Sequence, residues 1–234
     1  MATFVLVHGA WHGGWCWRRV SDRLRAKGHT VFAPTLTGLG ERSHLLSGDI
    51  NLSTHVKDVV NLMAWEDLHD VVLCGHSYGG MVITGAAELA SERIKSLVYL
   101  DAFVPTDGRS LFSFTSAEAL AQRLAAAGSL GGLAIPPVPA AAFSVNESDR
   151  EWVDHLCTPQ PLGTFNEPVR VSERSASIKR RTYVFATGWS GTPFQRFYEA
   201  LKDDPAWIVE TLSCGHDTML DMPEETTALL IAAS

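Results

Sequence analysis

The sequence predicts an α/β fold: an open, mostly parallel sheet of about six strands flanked by helices, with a cap inserted in the second half of the chain. Three observations predict it. Short β-branched runs alternate with helix-length segments. Most of those runs are apolar on successive residues, as parallel strands buried on both faces must be. One long stretch, 105–178, breaks the alternation. A chain of 234 residues with 46% hydrophobic content suits one domain with a sizeable core.

Taken in order, the runs Thr3–Val7, Thr30–Ala33, Asp70–Cys74, Ser96–Leu100, Arg181–Ala186 and Trp207–Leu212 read as strands. Between them, Trp15–Lys27, Leu52–Trp65, Met81–Ser91, Pro193–Lys202 and Pro223–Ala233 read as helices, which the alternation places on both faces of the sheet. Residues 1–104 and 179–234 are expected to form this core, and 105–178 the cap. The cap stretch shows no clear strand; it has an Ala-rich helix-like patch, a Gly/Pro-rich stretch from Gly128 to Pro139, and Pro159 and Pro161. An insertion of this length is either functional or disordered. Phe112, Phe114, Phe143, Trp152 and Phe165 favour a cap folded over the sheet, because a disordered segment is poor in aromatics. No internal repeat is visible.

A net charge of −7 without any run of Lys or Arg argues against a nucleic-acid partner. The N-terminal residues Met1 to Gly9 lack the pattern of a signal peptide, and no apolar run reaches the ~18 residues of a membrane span, so a soluble cytoplasmic protein is expected, with no membrane partner. Cys16, Cys74, Cys157 and Cys214 are widely spaced and read as free thiols.

The chemistry is carried by Gly75-His76-Ser77-Tyr78-Gly79, a G-x-S-x-G pentapeptide directly after a buried strand and directly before a helix. That context is what a nucleophile elbow requires. A sharp turn strains the Ser backbone, the glycines let strand and helix approach, and the hydroxyl projects at a helix N-terminus. A serine needs a base. Among nine histidines, His216 lies after the last strand and before the final helix, on a loop that can reach Ser77. His29, His44, His55, His69 and His155 read as solvent-facing or loop residues, and His76 as the variable position of the elbow. His8 and His12 have HxxxH spacing but no carboxylate nearby in the chain, which disfavours zinc. The Gly-rich loop after the first strand can turn an N–H toward a substrate oxygen, and Ala10 and Tyr78 are assigned to the oxyanion hole.

In order and spacing, FVLVHGAWHGGWCW, GHSYGGM, VYLDAFVP, YVFATG with PFQRF, and GHDTML resemble the plant methylesterase and hydroxynitrile lyase family of α/β-hydrolases and its bacterial esterase relatives. The resemblance covers both ends of the chain well and the cap poorly. It implies an esterase with a small-substrate pocket under the cap, Ser77 and His216 as catalytic pair, an oxyanion contact at Ala10, and a homodimer. Two departures stand out. Ala10 and Asp217 replace the Thr and Lys of the lyases, which disfavours cyanohydrin cleavage. The loop Thr187-Gly188-Trp189-Ser190-Gly191 lacks the acid that relatives carry after the penultimate strand. Asp101, at the end of the fourth strand, is therefore the expected triad acid, with a turn-capping role as the alternative.

The expected function is hydrolysis of a small carboxylic ester, thioester, lactone or carbamate through Ser77, Asp101 and His216, without metal or organic cofactor. Trp11, Phe143 and Trp152 are expected to line the substrate pocket. The alternatives are a catalytically silent ligand-binding homologue and a lyase on the same fold.

Overall fold

A computed structural model describes residues 1–190 and 192–234; Gly191, the last residue of the acid-free loop, lies outside the described residues. In chain order the strands are β1 (Thr3–Val7), β2 (Thr30–Phe32), β3 (Val71–His76), β4 (Ile94–Leu100), β5 (Ala134–Ile135), β6 (Gln160–Pro161), β7 (Arg180–Ala186) and β8 (Ile208–Leu212). Six of them form one sheet in the order β2-β1-β3-β4-β7-β8, with every neighbouring pair parallel. The helices are α1 (Arg18–Ala26), α2 (Leu52–Trp65), α3 (Gly79–Ala90), α4 (Ala117–Gly128), α5 (Arg150–Leu156), α6 (Gly163–Asn166), α7 (Glu173–Ser177), α8 (Gln195–Leu201), α9 (Thr218–Asp221) and α10 (Pro223–Ala232).

Continuous apolar strands have a direct cause here. Side chains alternate across a strand, so Val5, Val7, Leu73 and Tyr99 enter one core with α2 and α3, while Phe4, Leu6, Cys74 and Val98 enter another with α1 and α10. Both faces are covered, so a polar strand residue needs a partner in the interior, as Ser96 of β4 has in the Ala233 carbonyl at 2.7 Å.

The chain leaves β1 for β2 on one side and returns to place β3 on the other. The carboxyl ends of β1 and β3 therefore flank a topological switch point, where open α/β sheets leave a crevice for ligands. The loop Ala10–Gly13 follows β1, and Ser77 follows β3.

Two expectations need correction. The 105–178 stretch does contain strand: Ala134 pairs Pro161 and Ile135 pairs Gln160 in an antiparallel ladder, too short to show any period in sequence. Trp152 does not face a substrate pocket. On α5 it packs edge-on against Trp15 at 5.0 Å and under the Arg19 guanidinium at 5.8 Å, extending the core around α1. Among the described residues, no helix is long and apolar enough to cross a membrane.

Candidate active site

Ser77 sits between β3 and α3 with φ of 54°, a left-handed backbone that side-chain-bearing residues adopt at a cost of about 1–3 kcal/mol. Its neighbours allow no side chain: a Cβ at Gly75 would lie 2.5 Å from the Gly79 carbonyl oxygen, and one at Gly79 2.7 Å from that of Val7. The turn is held by the Ser77 N–H donating to Leu100 O at 3.3 Å and the Phe103 N–H donating to Ser77 O at 3.2 Å. Among the described residues the Ser77 hydroxyl makes no hydrogen bond; such contacts are often long without substrate and tighten in the loaded site.

Asp101 follows β4, the neighbour of β3, and is also left-handed, at φ 42°. Its N–H donates to Val184 O at 2.7 Å, and its Oδ1 accepts the Ala186 N–H at 3.2 Å. The free edge of the carboxyl, Oδ2, lies 2.7 Å from Nδ1 of His216, which reaches it from the loop after β8. That loop is pinned by the His216 N–H donating to Phe143 O at 2.9 Å. With the Nδ1 proton committed to Asp101, Nε2 of the neutral ring is left as the acceptor. Both groups are buried. Burial pushes the Asp101 carboxyl up against the opposing pull of the Ala186 N–H, and it pushes the His216 imidazole down to about 4. A ring so held is an unprotonated base at neutral pH.

The loop after β1 lies against the elbow. A Cβ at Gly9 would come within 2.9 Å of the Ser77 Cβ, so only glycine allows the approach. The N–H groups of Ala10 and Tyr78 are buried and make no hydrogen bond among the described residues. Buried N–H groups are almost always paired, so two donors without a protein partner beside one serine stand out. Trp11, at φ 65°, fixes this loop to the 105–178 stretch: its N–H donates to Gln160 Oε1 at 3.0 Å and its indole N–H to Ile135 O at 3.1 Å.

Ser77, His216, Ala10 and Tyr78 line one cavity of about 210 Å³. Its walls are mainly aromatic. Trp11 and Phe143 are among them, as the sequence suggests, together with Phe165, Trp189 and Phe194, which sequence reading did not assign. Trp189 and Phe194 pack on the His216 ring at 4.7 and 5.0 Å. A larger groove of about 370 Å³ between Leu52 and Arg170 contains none of these groups.

This chain matches the alpha/beta hydrolase family over residues 4–229. It belongs to that family. A carbendazim hydrolyzing esterase of Nocardioides sp. (strain SG-4G) is 45% identical over 240 residues, covering 99% of either chain. Salicylic acid-binding protein 2 of Nicotiana tabacum is 30% identical over 97% of this chain and 95% of its own. Among solved structures, an extracellular alpha/beta-hydrolase from a Paenibacillus species superposes with a TM-score of 0.85 at 25% identity, covering 100% of this chain and 99% of that one. The chain is a carboxylic ester hydrolase.

Behind the site the hydrolase buries a second polar cluster that the sequence did not reveal. Asp217 Oδ2 lies 3.0 Å from His12 Nε2, so the carboxylate that seemed missing near His12 comes from the far end of the chain. Burial pushes Asp217 up, but the charge of His12 outweighs it and holds the carboxyl below its ordinary value. Burial likewise pushes His12 down, and Asp217 overrides it, raising the imidazole above 6.5. His76 is more than a spacer: it donates from Nε2 to the His216 carbonyl at 3.0 Å. His55, expected in solvent, is buried against the Tyr78 hydroxyl at 3.0 Å and the Thr37 carbonyl at 2.8 Å.

His76, His216 and Asp217 bring one donor atom each within 4.8 Å. His76 Nε2, His216 Nδ1 and Asp217 Oδ2 are engaged with protein groups, while His76 Nδ1 and Asp217 Oδ1 have no hydrogen-bond partner among the described residues. Both ring nitrogens of His8 and of His12 are engaged as well, which leaves the HxxxH spacing without a free ligand.

The His12–Asp217 pair gives a stability prediction. Asp217→Ala takes the carboxylate from a buried imidazole, which burial then drives to its neutral form, and should cost about 3–5 kcal/mol in denaturant unfolding at pH 6. The pair's contribution should fall away as the solution is acidified below the ordinary Asp value of 3.8, and again as pH rises through the elevated His12 value above 6.5. An unfolding free energy within 1 kcal/mol of wild type would remove the ion pair from the account.

Proposed function

We propose that the hydrolase cleaves small esters by acyl transfer through Ser77, His216 and Asp101, in a pocket closed by the 105–178 stretch acting as a cap. The observation that carries this reading is the shared cavity: a strained serine, a neutral histidine held at 2.7 Å by a buried carboxyl, and two unpaired N–H groups bordering one aromatic-walled space. His216 Nε2 takes the Ser77 proton as Oγ bonds to the carbonyl carbon. The oxyanion is held by the Ala10 and Tyr78 N–H groups. On collapse the same proton passes to the departing alcohol, and water, deprotonated by His216, then releases the acid.

Volume and lining narrow the substrate. A cavity of about 150 Å³ can hold benzene, so about 210 Å³ suits one small substituted ring or a short acyl chain. Carbendazim, which the Nocardioides relative hydrolyses, belongs in the substrate screen with p-nitrophenyl and methyl esters. Four free cysteines support a reducing, cytoplasmic setting. The test is turnover of such esters together with covalent labelling by a fluorophosphonate probe. Failure of both would overturn the reading.

The pH profile is a second test. The base must be neutral to act, and burial lowers the His216 value from 6.5 to about 4. The acidic limb of kcat/KM should therefore fall near pH 4, leaving the rate nearly flat between pH 5.5 and 7. A limb at about pH 6.5 would mean that the base is a solvated histidine and not the buried His216.

A further inference from the structure

Helix α4 contributes one charged residue to the otherwise mainly apolar cavity. Arg123 lines it together with Ser77 and His216, and its guanidinium lies over the Phe165 ring at 5.7 Å. Among the described residues it forms no salt bridge and no hydrogen bond, whereas Arg19 and Arg93 both have carboxylate partners. A guanidinium carries five N–H donors in a fixed fork. Arg123 is half-buried, so a ligand that fills the cavity covers donors that solvent could otherwise reach. An apolar ligand would then leave the donors unpaired against aromatic walls, and a ligand with an acceptor would replace the lost bonds.

We infer that Arg123 is a specificity-determining residue that selects aromatic esters bearing a hydrogen-bond acceptor on the ring, away from the scissile carbonyl. The inference rests on the esterase reading of Ser77 and adds the substrate class. Burial pushes the guanidinium pKa down from the ordinary arginine value, in keeping with a side chain that has no carboxylate partner among the described residues. A planar ring fits between the aromatic walls, and the guanidinium fork can present two parallel N–H groups to one acceptor.

The test compares three substrates on wild type, Arg123→Met and Arg123→Lys: methyl 4-ethylbenzoate with no acceptor, methyl 4-acetylbenzoate with a neutral one, and methyl 4-carboxybenzoate with an anionic one. Taking each variant's kcat/KM relative to wild type on the same ester removes intrinsic differences in ester reactivity. For Arg123→Met we expect a loss of about 10-fold or more on the acceptor-bearing esters. It should appear mainly in KM, and the loss on the ethyl ester should be much smaller. Arg123→Lys should recover part of the loss, most clearly on the anionic ester, since its charge remains but its fork does not. The two acceptor arms tell whether charge or hydrogen bonding dominates. An equal loss on all three esters, or none on any, would overturn the assignment. If wild type takes fluorophosphonate and turns over all three esters but loses nothing in Arg123→Met, the esterase reading survives and the Arg123 role does not. If wild type neither labels nor turns over, both fall.

Discussion

Replacing Ser77 with Ala is expected to leave a folded protein whose kcat is lower by about 10⁴–10⁶-fold. The substitution removes one oxygen from a residue whose backbone is fixed by its neighbours: the Ser77 N–H and carbonyl are both bonded, to Leu100 and Phe103. Alanine can occupy the same left-handed conformation at a strain similar to that of serine, so stability should change by less than about 1 kcal/mol. Rate is another matter. Without Oγ there is no covalent intermediate, and the residual rate comes from the Ala10 and Tyr78 N–H groups acting on a bound ester with water as nucleophile. Comparing kcat on a p-nitrophenyl ester with the thermal midpoint of the same samples checks this. A variant retaining a tenth of the wild-type rate would remove Ser77 from the nucleophile role.

The second large effect is expected from Asp101→Asn, and the hydrogen bonds give its sign. Asp101 Oδ1 accepts from the Ala186 N–H and Oδ2 faces His216 Nδ1. An asparagine keeps its oxygen on Ala186 and must then turn its NH₂ toward Nδ1, which becomes an acceptor. The imidazole proton is driven to Nε2, facing Ser77, and the ring can no longer take a proton there. A drop on the order of 10⁴ in kcat follows from the same change of tautomer in other serine hydrolases. Stability should be kept or raised, because burial pushes the Asp101 carboxyl up and a neutral amide avoids that cost. Loss of stability with a near-normal rate would make Asp101 a turn-forming residue after all.

How far the sequence spoke depends on the range of the contact involved. Buried parallel strands need successive apolar residues, so all six sheet strands were readable to within one or two residues. The elbow was readable because strand, Gly-x-Ser-x-Gly and helix are contiguous. The approach of Asp101 to His216 was inferred from its place at the end of the fourth strand together with the acid missing from Thr187-Gly188-Trp189-Ser190-Gly191, and both residues do follow strand ends at one edge of the sheet. The His12–Asp217 pair spans 205 positions and has no local signature, so Asp217 was read only as the residue in place of the lyase Lys and His12 as lacking a carboxylate. Trp152 was misplaced for a related reason: a short amphipathic helix shows that it has an inner face but not which core that face meets. Trp189 and Phe194 lay in a loop read for its missing acid, and Arg123 in an Ala-rich helix whose charges suggest a solvated face.

The same geometry favours hydrolysis over cyanohydrin cleavage. The residue after His216 is a buried carboxylate held by His12, and so offers no cation to a departing cyanide.

If the acyl group passes through Ser77, it can be caught there. Wild-type enzyme mixed with excess p-nitrophenyl butyrate, quenched in acid within the first turnover and digested, should yield a butyryl adduct on the peptide carrying Ser77. That adduct should be absent from Ser77→Ala, and p-nitrophenol should appear in a burst that matches the adduct in amount. A butyryl group on another residue, or full turnover with no adduct on Ser77 at any quench time and no burst, would contradict the account.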